Sequence, residues 1–178
     1  MSKSIVYTIV VVASLVVMSR DASAQTPEPW QTQKPAEEMS LSGPRFGVTF
    51  LSDGVRDKLA ERGIDVGFSI SQFGWQKEKR FLSTPTGWTG VQEFVLLVGG
   101  VDQGVFLPSF NWLVGARTSS GIEFAAGPNL TAAGFALAMA GGVTFRTGNL
   151  NVPVNVAFVP SREGQRISML VGFNARKR

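Results

Sequence analysis

The chain has 178 residues and a formal net charge of +4, and it contains neither cysteine nor histidine. The length suits one domain with a sizeable core, while the composition excludes disulfides, thiol nucleophiles, Cys/His zinc sites and histidine acid–base catalysis. Charged residues are only 17% of the chain, against about 25% in an average soluble protein.

Residues 1–24 have the three parts of a secretory signal peptide. Lys3 supplies a positive charge, residues 5–18 are apolar, and Ala22-Ser23-Ala24 offers small residues at a cleavage site. The apolar run is shorter than the roughly 20 residues of a membrane-spanning helix. We therefore predict export with cleavage after Ala24, with an uncleaved anchor as the alternative.

The positive charge does not indicate a nucleic-acid partner. Without residues 1–24 the chain carries 15 basic and 12 acidic residues, and the basic tail at residues 176–178 supplies that excess. The rest is close to neutral and has no basic stripe with interleaved aromatics. We expect the tail to be a solvated end, with contact to an anionic surface as the alternative.

Residues 25–44 hold four of the nine prolines and few apolar residues, which predicts a disordered or extended linker. Residues 45–51 alternate in polarity and predict the first strand.

Residues 53–62 predict the single helix outside the signal peptide. Asp53 is the expected cap, Val55 and Leu59 share one face, and Gly63 ends the helix. A solvated helix that caps one end of the domain is the favoured interpretation, and a plug or gate is the alternative.

The strand pattern continues along the rest of the chain. Residues 66–81 predict a second strand with a bulge near Ser71-Gln72, because the apolar face shifts there. Six further alternating segments follow, with a turn predicted at Pro128-Asn129 among others, and they cover residues 91–98, 108–117, 121–127, 134–147, 152–159 and 167–174. Residues 130–142 are alanine-rich and helix-prone, but their period-two alternation favours a strand.

Eight short strands with tight turns predict an all-β fold. We expect an antiparallel up-and-down β-barrel of about eight strands over residues 45–175, with one short helix near its N-terminal end.

The outer face of this barrel is predicted to be apolar. Between Leu82 and Pro160 the charged residues are few and no lysine occurs, whereas exposed strands of soluble proteins carry Lys, Glu and Thr. Large side chains then face lipid, and small and polar ones fill a narrow lumen. The candidate lumen network is Glu93, Arg117, Glu123 and Arg146. The candidate lipid-facing or ligand-facing aromatics are Trp75, Phe110, Trp112, Phe124, Phe135 and Phe145.

The last strand alternates Ile167, Met169, Val171 and Phe173. With this strand, the export sequence and the lack of cysteine, the chain resembles small bacterial outer-membrane β-barrels as a class. It departs from them in three ways: five residues follow Phe173, the chain after residue 24 has no tyrosine, and several apolar runs are shorter than 9–11 residues. The resemblance implies an outer-membrane location, lipid as a partner, and a structural or interaction role.

Two other functions remain open. A soluble secreted or periplasmic, lipocalin-like barrel would bind a small apolar ligand in a pocket lined by Phe110, Trp112, Phe124 and Phe135. An exported hydrolase would need a carboxylate pair such as Glu93 and Glu123, but no catalytic motif supports it, and ion pairing with Arg117 or Arg146 is favoured. We predict no enzyme activity, no cofactor and no metal, and the sequence does not identify a protein partner.

Overall fold

A computed structural model describes residues 41–175. The predicted signal peptide (residues 1–24), residues 25–40 of the predicted linker and the basic tail (residues 176–178) lie outside them. The eight long strands are β1 (Gly43–Leu51), β2 (Ser69–Ser83), β3 (Thr89–Gly99), β4 (Leu107–Arg117), β5 (Ile122–Thr131), β6 (Gly134–Thr147), β7 (Leu150–Ser161) and β8 (Gly164–Gly172). Helix α1 (Asp53–Ala60) follows β1, a 3-10 helix (Val101–Gln103) follows β3, and a two-residue strand β9 (Asn174–Ala175) follows β8.

The strands form a closed antiparallel up-and-down barrel, as the sequence predicts. Each long strand pairs with its neighbours in the chain, and β1 closes the ring on β8 from Arg45 opposite Gly172 to Leu51 opposite Arg166. The two residues of β9 extend the pairing with β7. Strand β1 begins at Gly43, two residues inside the predicted linker.

The alanine-rich segment is a strand, because its side chains alternate between two environments. Ala136 and Ala138 of β6 are buried in the barrel, and Phe135 and Leu137 are exposed outside it. The predicted turn at Pro128-Asn129 is wrong. Both residues lie within β5, and the turn comes at residues 132–133, because Asn129 is paired inside the lumen.

The bulge predicted near Ser71-Gln72 is also wrong. Strand β2 pairs with β1 without interruption from Ser69 to Gln76, and the irregularity lies between Arg80 and Leu82. The apolar residues change sides in the sequence because Phe68 lies before the strand and Ile70 points inward, where it packs under α1.

Helix α1 packs over one end of the barrel, here called the helix end. Val55 and Leu59 are buried against residues from the ends of three strands and from the segment before β2, namely Leu51, Val66, Ile70 and Leu107. The N-cap is Ser52 rather than Asp53. The Ser52 hydroxyl accepts a hydrogen bond from the backbone N–H of Gln165 at 2.9 Å. Gly63 ends the turn after the helix with a φ of +75°, as predicted from its position.

The two faces of the barrel have opposite polarity. Exposed large apolar side chains outnumber the buried apolar ones among the described residues, and they lie on every long strand. Buried polar and charged side chains instead point into the lumen. This distribution reverses the one expected of a soluble barrel.

Candidate functional site: the polar lumen

Arg117 is at the centre of an ion cluster at the end of the lumen opposite the helix end. Its Nε donates to Glu123 Oε2 at 2.6 Å and its Nη1 donates to Glu78 Oε1 at 2.9 Å. Nη2 contacts the carboxylates of both glutamates and lies 3.8 Å from Glu93 Oε1. These four side chains are nearly inaccessible, with exposed fractions of 1–4%.

The strand register brings these residues together. Glu78 of β2 lies opposite Glu93 of β3, and Arg117 of β4 lies opposite Glu123 of β5. Their side chains point inward because each occupies the lumen side of the two-residue strand repeat. The long Arg117 side chain then reaches across β3 to Glu78.

The cluster extends through amide and guanidinium hydrogen bonds to β1. Gln76 Nε2 donates to Glu93 Oε1 at 2.6 Å, and Gln76 Oε1 accepts from Arg45 Nε at 2.9 Å. Arg45 also donates to the Leu41 carbonyl at 2.6 Å and is 1% exposed. Arg45, Gln76 and Glu78 were not predicted as lumen residues, and for Gln76 and Glu78 the reason is that the misplaced bulge obscured which side of β2 faces inward.

The cluster holds more carboxylates than guanidinium groups. Oxygens of Glu78, Glu93 and Glu123 lie within 4.8 Å of one another, a spacing that suits a hard cation with oxygen ligands. Arg117 already occupies the space between these carboxylates and binds two of them directly. The Arg117 guanidinium therefore supplies the positive charge between the carboxylates that a metal ion would otherwise supply.

Arg146 is the predicted network residue that the structure does not bring to this cluster. It is exposed at the rim, where its Nη2 donates to the Ser119 carbonyl at 3.0 Å. Arg146 lies two residues after Thr144 in β6, so the strand repeat places it on the inward side. It is, however, the second-last residue of the strand. Because the lumen has ended at that level, the side chain turns to the neighbouring β4–β5 turn.

The six predicted aromatic residues lie on the outer face of the barrel. Their exposed fractions run from 42% for Phe110 to 74% for Phe135. Trp112 of β4 stacks on Phe94 of the neighbouring strand β3, with ring centroids 6.2 Å apart. Phe110, Trp112, Phe124 and Phe135 therefore do not line an internal pocket, which corrects the pocket described for the lipocalin-like alternative.

A second polar layer lies between the ion cluster and α1. Thr49 donates to Gln72 Oε1 at 2.6 Å, and Asn129 donates to Ser109 at 3.2 Å. Arg166 donates to Thr131 Oγ1 at 2.6 Å and to Asn129 Oδ1 at 2.8 Å.

Two small cavities remain in this region of the lumen. One of about 60 Å³ lies among the polar and small side chains, and one of about 40 Å³ lies under α1. Sites for drug-sized ligands are about 300–1,000 Å³. The lumen has room for water or a small ion.

The fold and site together define a closed, eight-stranded, up-and-down barrel with a charged interior and an apolar exterior. Comparisons of the chain with protein-family models, with curated proteins and with solved structures gave no match. Among the described residues, no helix has the length and apolar character needed to cross a membrane.

Proposed function

We propose that this protein is an exported β-barrel of the outer-membrane type, with a structural or interaction role and a narrow lumen filled by side chains. The observation that carries the proposal is the reversed polarity of the barrel, with its ion pairs inside and its large apolar residues outside. In a bilayer the outer surface meets hydrocarbon, and apolar side chains are the favourable ones there.

The distribution of exposed charge supports the same proposal. Within the eight long strands the exposed charged residues are Lys77, Lys79 and Arg146. Arg146 is close to the end of β6, and both lysines lie in the second half of β2. An apolar band therefore runs round the barrel between its two rims and is interrupted on β2, where Lys77 lies opposite Phe94 of β3.

Strand length and closure fit a membrane as well. The long strands have 9–15 residues, and a tilted transmembrane strand needs about 9–11. Hydrocarbon cannot satisfy an open sheet edge, and here β1 and β8 close the ring. The short apolar runs in the sequence understate these lengths, because small and polar inward residues interrupt them.

The lumen favours a structural or interaction role over general porin activity. Arg117 and its three carboxylates fill one level of the interior, and α1 covers the helix end. We propose no catalytic role for Glu93 and Glu123, since Glu123 is bound to Arg117 and Glu93 accepts from Gln76.

Fractionation of expressing cells tests the proposal. We expect the protein in the membrane pellet after a carbonate wash, with a mobility on gels that changes on boiling as the closed barrel unfolds. A soluble periplasmic or secreted protein would overturn it, and the exposed aromatics would then need another cover, such as a protein partner.

A further inference from the structure

Arg166 is a buried cation that forms no salt bridge with a carboxylate among the described residues; Glu163, which is exposed in the β7–β8 turn, acts on it only from a distance. It is 7% exposed and points into the lumen from β8. Its two terminal nitrogens donate to neutral oxygens of Thr131 and Asn129. Its Nε has no hydrogen-bond partner within residues 41–175.

This situation differs from that of the other two buried arginines. Arg117 is bound directly to two carboxylates, and Arg45 is linked to Glu93 through Gln76. Arg166 lies opposite Leu51, whereas Arg45 lies opposite Gly172. Six residues of β8 separate these levels, or roughly 20 Å at the rise of a strand. The ion cluster therefore does not supply Arg166 with a counter-charge at contact distance.

Free space adjoins Arg166: Glu93 also lines the larger cavity, whereas Arg166 is the single charged residue that lines the smaller one. Thr49, Gln72, Ser109, Thr131 and Arg166 line both of the small lumen cavities. Gln72 accepts from Thr49 through Oε1, which leaves its amide hydrogens for another acceptor. Ser109 accepts from Asn129, which leaves its hydroxyl hydrogen to donate.

We propose that the smaller cavity beside Arg166 binds a small monovalent inorganic anion of chloride size, held by Arg166, Gln72 and Ser109. A buried charge without a partner is costly, and a counter-ion in a low-dielectric site removes that cost. A cavity of about 40 Å³ admits a halide and excludes a large organic anion. The inference does not depend on where in the cell the barrel resides.

Chloride NMR on the purified full-length protein in detergent micelles tests this directly. We expect the protein to broaden the ³⁵Cl resonance, bromide to reverse the broadening at constant ionic strength, and gluconate to leave it unchanged. Arg166→Gln should remove most of the broadening. Arg162→Gln is the matched control, because Arg162 is exposed in the β7–β8 turn only four residues away.

A second variant covers the case in which Arg166→Gln fails to fold. Ser109→Ala removes one neutral donor, and we expect it to weaken chloride binding several-fold. The proposal is overturned if the wild-type protein causes no saturable broadening, if gluconate competes as well as bromide, or if Arg166→Gln and Arg162→Gln behave alike.

Discussion

Arg117 and Glu123 are cross-strand neighbours on β4 and β5 whose side chains meet inside the barrel, with Nε 2.6 Å from Oε2. Only six residues separate them in the chain, but Glu78, the other carboxylate bound to Arg117, is 39 residues away. The pair thus joins a local hairpin contact to a contact across β3. Arg117 therefore holds together the ion cluster at the end of the lumen opposite the helix end.

We expect Glu123→Gln to destabilise the barrel by about 3 kcal/mol, because it leaves a buried guanidinium with one fewer counter-charge. Glu93→Gln should cost much less. Its amide oxygen can still accept from Gln76, and Glu93 lies 3.8 Å from Arg117 rather than in direct contact. Equilibrium unfolding in urea measures both values, and equal losses would contradict the central role of the Arg117–Glu123 pair.

The apolar band should tolerate charge at its rim better than at its middle. Leu96 is exposed in mid-β3 between Trp75 and Phe110. If lipid covers this face, Leu96→Arg should cost about 2–4 kcal/mol and Leu150→Arg about 0–1, since Leu150 begins β7 at the rim. Folding into vesicles measures the difference. Equal, small effects would indicate that water covers the band.

The helix end should depend on the buried face of α1. Leu59 is 3% exposed in the cluster under the helix, so Leu59→Ala should cost about 2–4 kcal/mol. Lys58→Ala is the control, since Lys58 pairs with Glu61 at the surface and is not part of the cluster under the helix. Hydrogen exchange should show faster opening of residues 53–60 in Leu59→Ala alone. Unchanged exchange would mean that this packing does not hold the helix.

Asp102 is expected to give a small pH dependence at the helix end. The Ser71 hydroxyl, which donates to Asp102 Oδ1, lowers the pKa of the Asp102 carboxyl below its ordinary value. A lowered folded-state pKa stabilises the protein above the unfolded value of about 3.9, and this contribution is lost as the pH falls through the folded-state pKa.

Ser71→Ala should raise the pKa of Asp102 toward its ordinary value, as measured by carboxyl ¹³C chemical shifts. Its stability deficit relative to the wild-type protein should be present at neutral pH and vanish in acid. A deficit that is the same at all pH values would show that Ser71 contributes by packing alone.

The sequence predicted the fold from a local property. Alternation with a period of two is visible in β4, β6 and β8 without knowledge of their partners. It assigned Phe110, Trp112 and Phe135 to one face and favoured the outside, where the structure places them, with an inward arrangement as the alternative. Two local predictions were wrong. Pro128-Asn129 near the end of β5 has the composition of a turn, and Phe68 just before β2 gave the appearance of a bulge.

Part of the lumen cluster was predictable and part was not. Glu93, Arg117 and Glu123 stood out because charges are rare in their segment and each falls on the small-residue face. Arg45 was hidden near the start of β1, and Glu78 was hidden in a run of polar and charged residues within β2. Arg146 was misassigned because its inward parity does not reveal that the lumen ends before it.

By itself the sequence determined the strand content, the two opposed faces and the one helix with its buried side, because these follow from the chemistry of residues near one another in the chain. Only the tertiary structure decided between the favoured outward and the alternative inward arrangement of the large apolar residues, and it alone showed that three carboxylates surround Arg117 and that Arg166 has neutral hydrogen-bond partners. Those facts depend on ring closure and on register between strands, where a one-residue shift moves every side chain to the other face.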